Sequence, residues 1–399
     1  MQFEFPDAET PYDALLGVSG GLDSVCLLHY AVTHCELLNI RNLTVCHVHH
    51  GVRETAERDA TFVRKLCEVY GVPFELRRLD GKALLDGGDF EENARIERYR
   101  IFQNIAKDRN CQYIFTAHHA DDQAETLYMR LKSGTSLKGL QGIQKERGDG
   151  VYRPLLHLTK RDLRIYAEEH ELDWCEDETN ADTAYERNRA RHVTLPFLEQ
   201  ESSGTSAQLS HTASLAQRAY PKIIAAADAL IAPSIVPPAL WPFPQECAPY
   251  RNILALHGAY LEERLAGLSG NGEELLRLWL MERGFPLPFG KKILERFRFP
   301  RTECSGFFVE NIRNILWFCR REKVPAPDNL YLLPEYDGIG GIWRYRKDGD
   351  VYSPPGLNAP RRKLSKWFSD NGVPCFARDS IPVFARNSEV LQIFMDNIA

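Results

Sequence analysis

The chain has 399 residues, of which 44% are hydrophobic and 26% charged, with a formal net charge of −6. That length is too great for one ordinary domain and points to two or three, the balance is that of a soluble globular protein, and the net acidity leaves any nucleic-acid contact to local basic runs. No apolar stretch approaches the ~20 residues that cross a membrane, the acidic start MQFEFPDAET lacks a secretion signal, and ten cysteines without a Cys-x-x-Cys pair argue against zinc ribbons, iron–sulfur ligation and redox dithiols, so a cytoplasmic protein is expected.

In chain order, apolar runs suited to buried strands occur at 12–18, 43–48, 72–76 and 112–117, with helical patterns between them at about 24–35, 55–70, 91–109 and 121–132. This alternation predicts an α/β domain, a doubly wound parallel sheet with helices on both faces. The small polar stretch EQESSGTSAQ near 200–206 reads as a linker. Beyond it, 206–230 and 272–284 have helical patterns, so a mainly α-helical region follows; from about 325, short strand-like runs between Gly and Pro turns predict a small strand-rich α/β domain. The expected division is therefore 1–204, 205–325 and 326–399.

The first strand runs into Ser19-Gly20-Gly21-Leu22-Asp23-Ser24. The glycines allow a tight turn and close approach to a ligand, and the helix that starts near Asp23 or Ser24 offers free N–H groups and a positive dipole end to an anion. The hydroxyls of Ser19 and Ser24 suit phosphate, and Asp23 suits Mg2+. The lysine that a γ-phosphoryl-transfer loop carries is missing.

Strand–SGGLDS–helix resembles the pyrophosphate-binding loop of the N-type ATP pyrophosphatases, or PP-loop superfamily. Within it, CHVHHGVR (46–53), ENARIERYRIF (92–102), TAHHADDQAE (116–125), RPLL (153–156) and EDETNADTAYERNRAR (176–191) together resemble the tRNA(Ile)-lysidine synthetase family, densely over 1–200 and again over 361–384. That resemblance implies ATP and Mg2+ as cofactors. It also implies L-lysine and a tRNA(Ile) with a CAU anticodon as substrates, and ligation of lysine to C2 of the wobble cytidine through an adenylated base.

Carried onto this chain, the resemblance implies that Ser19, Gly20, Gly21, Leu22, Asp23 and Ser24 bind ATP together with His49 and Arg95, with Asp23 toward the metal. Asp122 and Glu125, three residues apart on one helix face, would hold the lysine and ease loss of its proton, which makes Asp23, Arg95, Asp122 and Glu125 the catalytic set. Arg95 and Arg98 share a face suited to clamping phosphate. The alternation Arg187-x-Arg189-x-Arg191 would close the site over RNA or ATP phosphates, with Arg189 and Arg191 on tRNA, and Arg361, Arg362, Lys363 and Lys366 would contact tRNA from the last domain. Phe297, Phe299 and Trp367 would add stacking. The family's cation after the acidic helix is replaced here by Lys132 or Arg130. The competing reading is another tRNA-modifying enzyme of the superfamily, such as a tRNA thiolase.

Overall fold

The apolar run at the start of the chain forms β1 (Tyr12–Gly17), the middle strand of a five-stranded sheet of order β3-β2-β1-β4-β5. Its neighbours are β2 (Ile40–His49) and β4 (Tyr113–Phe115), with β3 (Phe74–Arg78) and β5 (Val151–Tyr152) at the edges. All pairings are parallel; Leu16 stands opposite Val45 on one side and Phe115 on the other. β5 was not expected, because a strand of two residues leaves no periodicity to detect.

The computed structural model describes residues 1–49, 51, 56–80, 90–176, 186–245, 248, 250, 252–266, 268, 271–287, 298–322, 341–352 and 361–394. Contacts divide the chain into two units, Met1–Tyr220 and Pro221–Ala399.

In the first unit the helices are α1 (Leu22–Thr33), α2 (Ala56–Tyr70), α3 (Phe90–Asp108), α4 (Ala120–Lys132), the short α5 (Leu137–Leu140) and α6 (Lys160–Glu169). Alternate residues of a strand face opposite sides of the sheet. Ala14 and Leu16 pack with Cys26, Leu27, Val63 and Leu163, which belong to α1, α2 and α6. Leu15 packs with Tyr99, Phe102 and Ile105 of α3. The sheet is covered on both faces, as the sequence pattern predicts. Gly17 admits α3 this closely: a Cβ there would lie 2.6 Å from Phe102 Cζ. The winding reverses between β1 and β4, which opens a crevice at the carboxyl ends of these two strands.

After residue 185 come α7 (Glu186–Arg189), a π-helical turn (Ala190–Thr194), α8 (Leu195–Glu201) and α9 (Thr205–Ile231). The polar stretch near 200–206 supplies the short break between α8 and α9, with Gly204 at φ +87°, a value glycine reaches without strain. The division between units falls inside α9, beside Pro221.

The second unit contains α11 (Gly272–Glu282), where a helix was expected, and before it α10 (Gly258–Ala266), which the sequence pattern did not single out. It also holds a sheet that the sequence pattern did not reveal: β6 (Ile253–His257), β7 (Arg301–Cys304), β8 (Phe307–Ile312) and β9 (Ile315–Arg320), antiparallel in the order β6-β9-β8-β7. One face packs Phe307, Val309, Leu316 and Phe318 against Trp279 and Leu280 of α11. The other packs Phe308, Trp317 and Cys319 against Phe368, Val373, Ile381 and Val383. Those last residues belong to the strand-rich tail, with β10 (Ile342–Tyr345), β11 (Val351–Tyr352), β12 (Arg362–Lys363), α12 (Leu364–Asp370), β13 (Pro382–Arg386) and β14 (Glu389–Ile393), the strands in the order β10-β13-β14-β11-β12. The middle sheet and the tail therefore share one core. Among the described residues, no helix is long and apolar enough to cross a membrane.

Candidate active site

The loop between β1 and α1 is organised by one hydroxyl. Ser24 Oγ accepts hydrogen bonds from the N–H groups of Ser19 and Gly20, each at 3.2 Å, and donates to the Gly21 carbonyl at 2.9 Å. Ser19 Oγ lies 3.1 Å from Ser24 Oγ and accepts from the Gly21 N–H at 3.3 Å. Gly20 has φ +95°, in the left-handed region that glycine occupies at little cost. Successive N–H groups thus converge on two serine oxygens at the start of α1, donors that suit phosphate oxygens equally well. Leu22 turns its side chain into the core, so only its backbone belongs to the loop.

Asp23 follows on the first turn of α1. Its Oδ1 is buried with no hydrogen-bond partner among the described residues. Its Oδ2 lies 3.5 Å from His119 Nε2. His119 ends the segment after β4 and caps α4, so it stands where the winding reverses. The same Nε2 lies 3.5 Å from Asp122 Oδ2, and Nδ1 lies 3.4 Å from Asp121 Oδ2. Burial opposes a charge on this imidazole, but the negative charge of Asp122, with Asp121 and Asp23, overcomes it and raises the pKa to about 10. One histidine is therefore an imidazolium shared by the phosphate-type loop and the acidic helix start.

Asp122 and Glu125 project from one face of α4 as expected, and both are buried. Asp122 Oδ2 accepts the His119 backbone N–H at 3.1 Å, a helix N-terminal cap. Two arginines occupy the remaining oxygens. Arg187 donates from Nε to Glu125 at 2.9 Å and from Nη2 to Asp122 at 3.1 Å. Arg191 donates from Nε to Glu125 at 2.5 Å and from Nη2 to both carboxylates at 3.0 Å. Burial alone would raise the Asp122 pKa; the positive charges of His119, Arg187 and Arg191 hold it well below the usual carboxylate range.

Around Tyr99 of α3 lies a group of cations. The guanidiniums of Arg95 and Arg147 stack over the Tyr99 ring at 5.3 and 4.9 Å, Arg98 lies 6.0 Å from it, and buried Arg153 donates to the Tyr99 hydroxyl at 3.3 Å. Among the described residues, Arg95, Arg98 and Arg153 have no carboxylate partner. Burial lowers the Arg98 pKa, and the neighbouring charges of Arg95 and Arg187 add to the effect. Burial likewise pushes His118 well down, with Arg153, Arg95 and Arg98 contributing, so its ring is neutral while its neighbour His119 is charged. Arginines without a carboxylate partner suit an anion, whose oxygens match the guanidinium fork.

The other expected site residues are placed as follows. His49 closes β2, accepts the Gly51 N–H at 3.1 Å and faces Glu57 at 3.4 Å. Arg191, expected on tRNA, instead binds the two carboxylates, while Arg189 is exposed. Helical geometry is the reason: 187 and 191 are four apart and share a face, and 189 points away. Lys132 pairs with Glu186 at 2.7 Å. Arg130 donates instead to the carbonyls of Gly139 and Gly142. In the second unit Arg361, Lys363 and Lys366 are exposed, and Arg362 pairs with Asp370 at 3.1 Å. Trp367, expected to stack on RNA, packs edge-on against Tyr352 and Phe368. Phe299 is exposed, whereas Phe297 and the residues 177–185 lie outside the described residues. Arg153, Tyr99 and the charge on His119 were not singled out from sequence; the RPLL and RYR stretches that contain the first two were the available signal.

Residues 3–198 match the family described as PP-loop domain, and residues 342–395 match the TilS substrate C-terminal domain. A bifunctional protein TilS/HprT of Listeria monocytogenes is 40% identical over 192 residues, 47% of this chain but only 30% of the relative. The chain thus spans about a third of the length of that relative. The tRNA(Ile)-lysidine synthase of Pseudomonas aeruginosa is 29% identical over 401 residues, 94% of this chain and 88% of the relative. That of Clostridium perfringens is 28% identical over 430 residues, 96% and 91% respectively. Among solved structures, a U34-tRNA thiolase NcsA from Methanococcus maripaludis aligns with a TM-score of 0.44 at 18% identity, over 52% of this chain and 74% of its own.

Proposed function

The chain belongs to the tRNA(Ile)-lysidine synthase family of PP-loop proteins, and from that premise we propose that it ligates L-lysine to C2 of the wobble cytidine of a tRNA(Ile) with a CAU anticodon. O2 of the cytidine attacks the α-phosphate of ATP, and pyrophosphate leaves. The lysine ε-amine, neutral after losing a proton, then attacks C2, and the C–O bond to AMP breaks. The enzyme is accordingly a carbon–nitrogen ligase.

The observation that carries this reading is the shared position of His119 Nε2, 3.5 Å from Asp23 on the loop and 3.5 Å from Asp122 on α4. It joins an anion cradle to a buried acidic pair within one site. The backbone of Ser19–Ser24 receives the departing pyrophosphate, and Arg95, with Arg98 and Arg153, neutralises charge at the phosphate under attack. Asp122 and Glu125 take the ammonium groups of lysine. Arg187 and Arg191 now fill those oxygens, so lysine replaces one cation by another rather than entering a bare acidic pocket.

Mg2+ fits Asp23, whose buried Oδ1 has no partner among the described residues. No group of three or more metal-binding side chains occurs among those residues, which suits an ion held by one carboxylate and by phosphate oxygens. When bound it would offset the phosphate charge.

Incubation with ATP, labelled lysine and tRNA transcripts differing only at the anticodon tests the reading. Label is expected on the CAU transcript alone, with pyrophosphate released only when that tRNA is present. Absence of label on the CAU transcript, or tRNA-independent pyrophosphate release, overturns it.

A further inference from the structure

The helical segment 186–201 has two faces. The inner one carries Arg187 and Arg191, bound to Asp122 and Glu125, and buries Ala190 and Leu195. The outer one carries Arg189, His192, Val193 and Phe197, all exposed, with Val193 at 52% and Phe197 at 57%. Single exposed apolar residues are ordinary on a surface. Here two large ones stand four residues apart, just after the exposed Arg189 and His192, and the π-helical turn Ala190–Thr194 carries Arg191 on one side and Val193 on the other. Such turns inside α-helices are frequent at functional sites.

We propose that this outer face is a stacking platform for unpaired bases of the anticodon loop that flank the target cytidine. The inference rests on the tRNA-modifying reading above. The face lies across a helix about 10–12 Å thick from the carboxylates the inner face holds, with Phe197 about 9 Å of helix rise beyond Arg191. A base delivered to that site brings its loop neighbours within reach of this surface. Proteins read single-stranded RNA by stacking bases on aromatic rings and guanidinium planes and by placing cations on the backbone. Phe197 supplies the ring, Val193 widens the apolar surface, Arg189 supplies the charge complementary to phosphate, and His192 adds ring nitrogens for hydrogen bonding. Phe197 and Val193 are positioning residues, since they touch no reacting atom.

The test compares wild type, Phe197→Ala, Phe197→Trp and Arg189→Ala for binding of the CAU tRNA, for KM of tRNA and of ATP, and for oligomeric state. Phe197→Ala is expected to weaken tRNA binding and raise KM for tRNA about tenfold through the lost base stacking. KM for ATP and the thermal midpoint should stay unchanged, and Phe197→Trp should restore binding. Arg189→Ala should reduce the slope of log affinity against log salt by about one. Phe197→Ala binding tRNA within about twofold of wild type overturns the inference alone, provided wild type itself binds and modifies the tRNA. A variant that loses self-association while keeping tRNA affinity also overturns it, and marks the face as a protein interface. Failure of wild type to bind tRNA at all overturns the proposed function as well.

Discussion

Arg191 is bound to Glu125 through two donors, Nε at 2.5 Å and Nη2 at 3.0 Å, and the carboxylate is almost wholly buried. Removing one partner of such a pair leaves a desolvated charge. Arg187 remains to compensate in part. Arg191→Ala is expected to destabilise the fold by about 2 kcal/mol, the scale for a lost charged hydrogen bond. The Arg187→Ala/Arg191→Ala double variant should lose more than the two single changes added together. Urea unfolding of the three variants measures both quantities, and simple additivity would rule out the shared clamp.

Asp122→Asn keeps an oxygen to accept the His119 N–H but removes the charge that an ammonium needs. Lysine incorporation is expected to fall at least tenfold, roughly one charged contact's worth, with KM for lysine rising. Pyrophosphate release driven by ATP and tRNA should persist, because the Ser19–Ser24 loop is untouched. Loss of both half-reactions together would place Asp122 in the adenylation step instead.

His119 gives a pH dependence whose sign follows from its raised pKa. An unfolded imidazole titrates near 6.5, and the folded one near 10. The stabilisation it provides is therefore complete below about pH 6.5, declines as pH rises between the two values, and is gone above about 10. The stability difference between wild type and His119→Gln should shrink steadily across that range. NMR titration of the ring supplies the direct check: it should still be protonated at about pH 8, whereas a midpoint near the ordinary value would contradict the carboxylate cage.

In the tail, Arg361 is exposed while Arg362 already pairs with Asp370. If this region contacts the tRNA backbone, Arg361→Ala should lower the salt slope of tRNA binding by about one counterion, and Arg362→Ala by less. Equal slopes for wild type and both variants would remove this strand from the RNA interface.

The catalytic unit was legible in the sequence because its signals are local. Strand and helix periods at 12–18, 43–48, 91–109 and 121–132 match β1, β2, α3 and α4 closely, and the spacing of Asp122 and Glu125 places them together on any helix. The partners of those acids were not legible. Arg187 and Arg191 lie more than sixty residues away in sequence, and their pairing depends on a helix that begins beside the stretch 177–185. The middle sheet was missed for another reason. Strands such as FFVENI and ILWFCR are buried on both faces, so they lack the alternation that distinguishes a strand from a short helical run. Trp367 beside RRKLSK shows how a basic neighbourhood can hide a packing role: its half-buried ring also rests on the tail's own core.

The hydroxyl of Ser24 has a kinetic consequence. By tying Ser19, Gly20 and Gly21 into a fixed curve, it prepays the conformational entropy that a flexible glycine turn would otherwise lose at each encounter with a nucleotide. Capture then needs only an exchange of acceptors, from a serine oxygen to a phosphate oxygen, and the number of hydrogen bonds barely changes. Discrimination accordingly falls on charge and shape. A neutral ligand gains almost nothing by displacing the serine, whereas a polyanion also gains the positive end of the helix dipole.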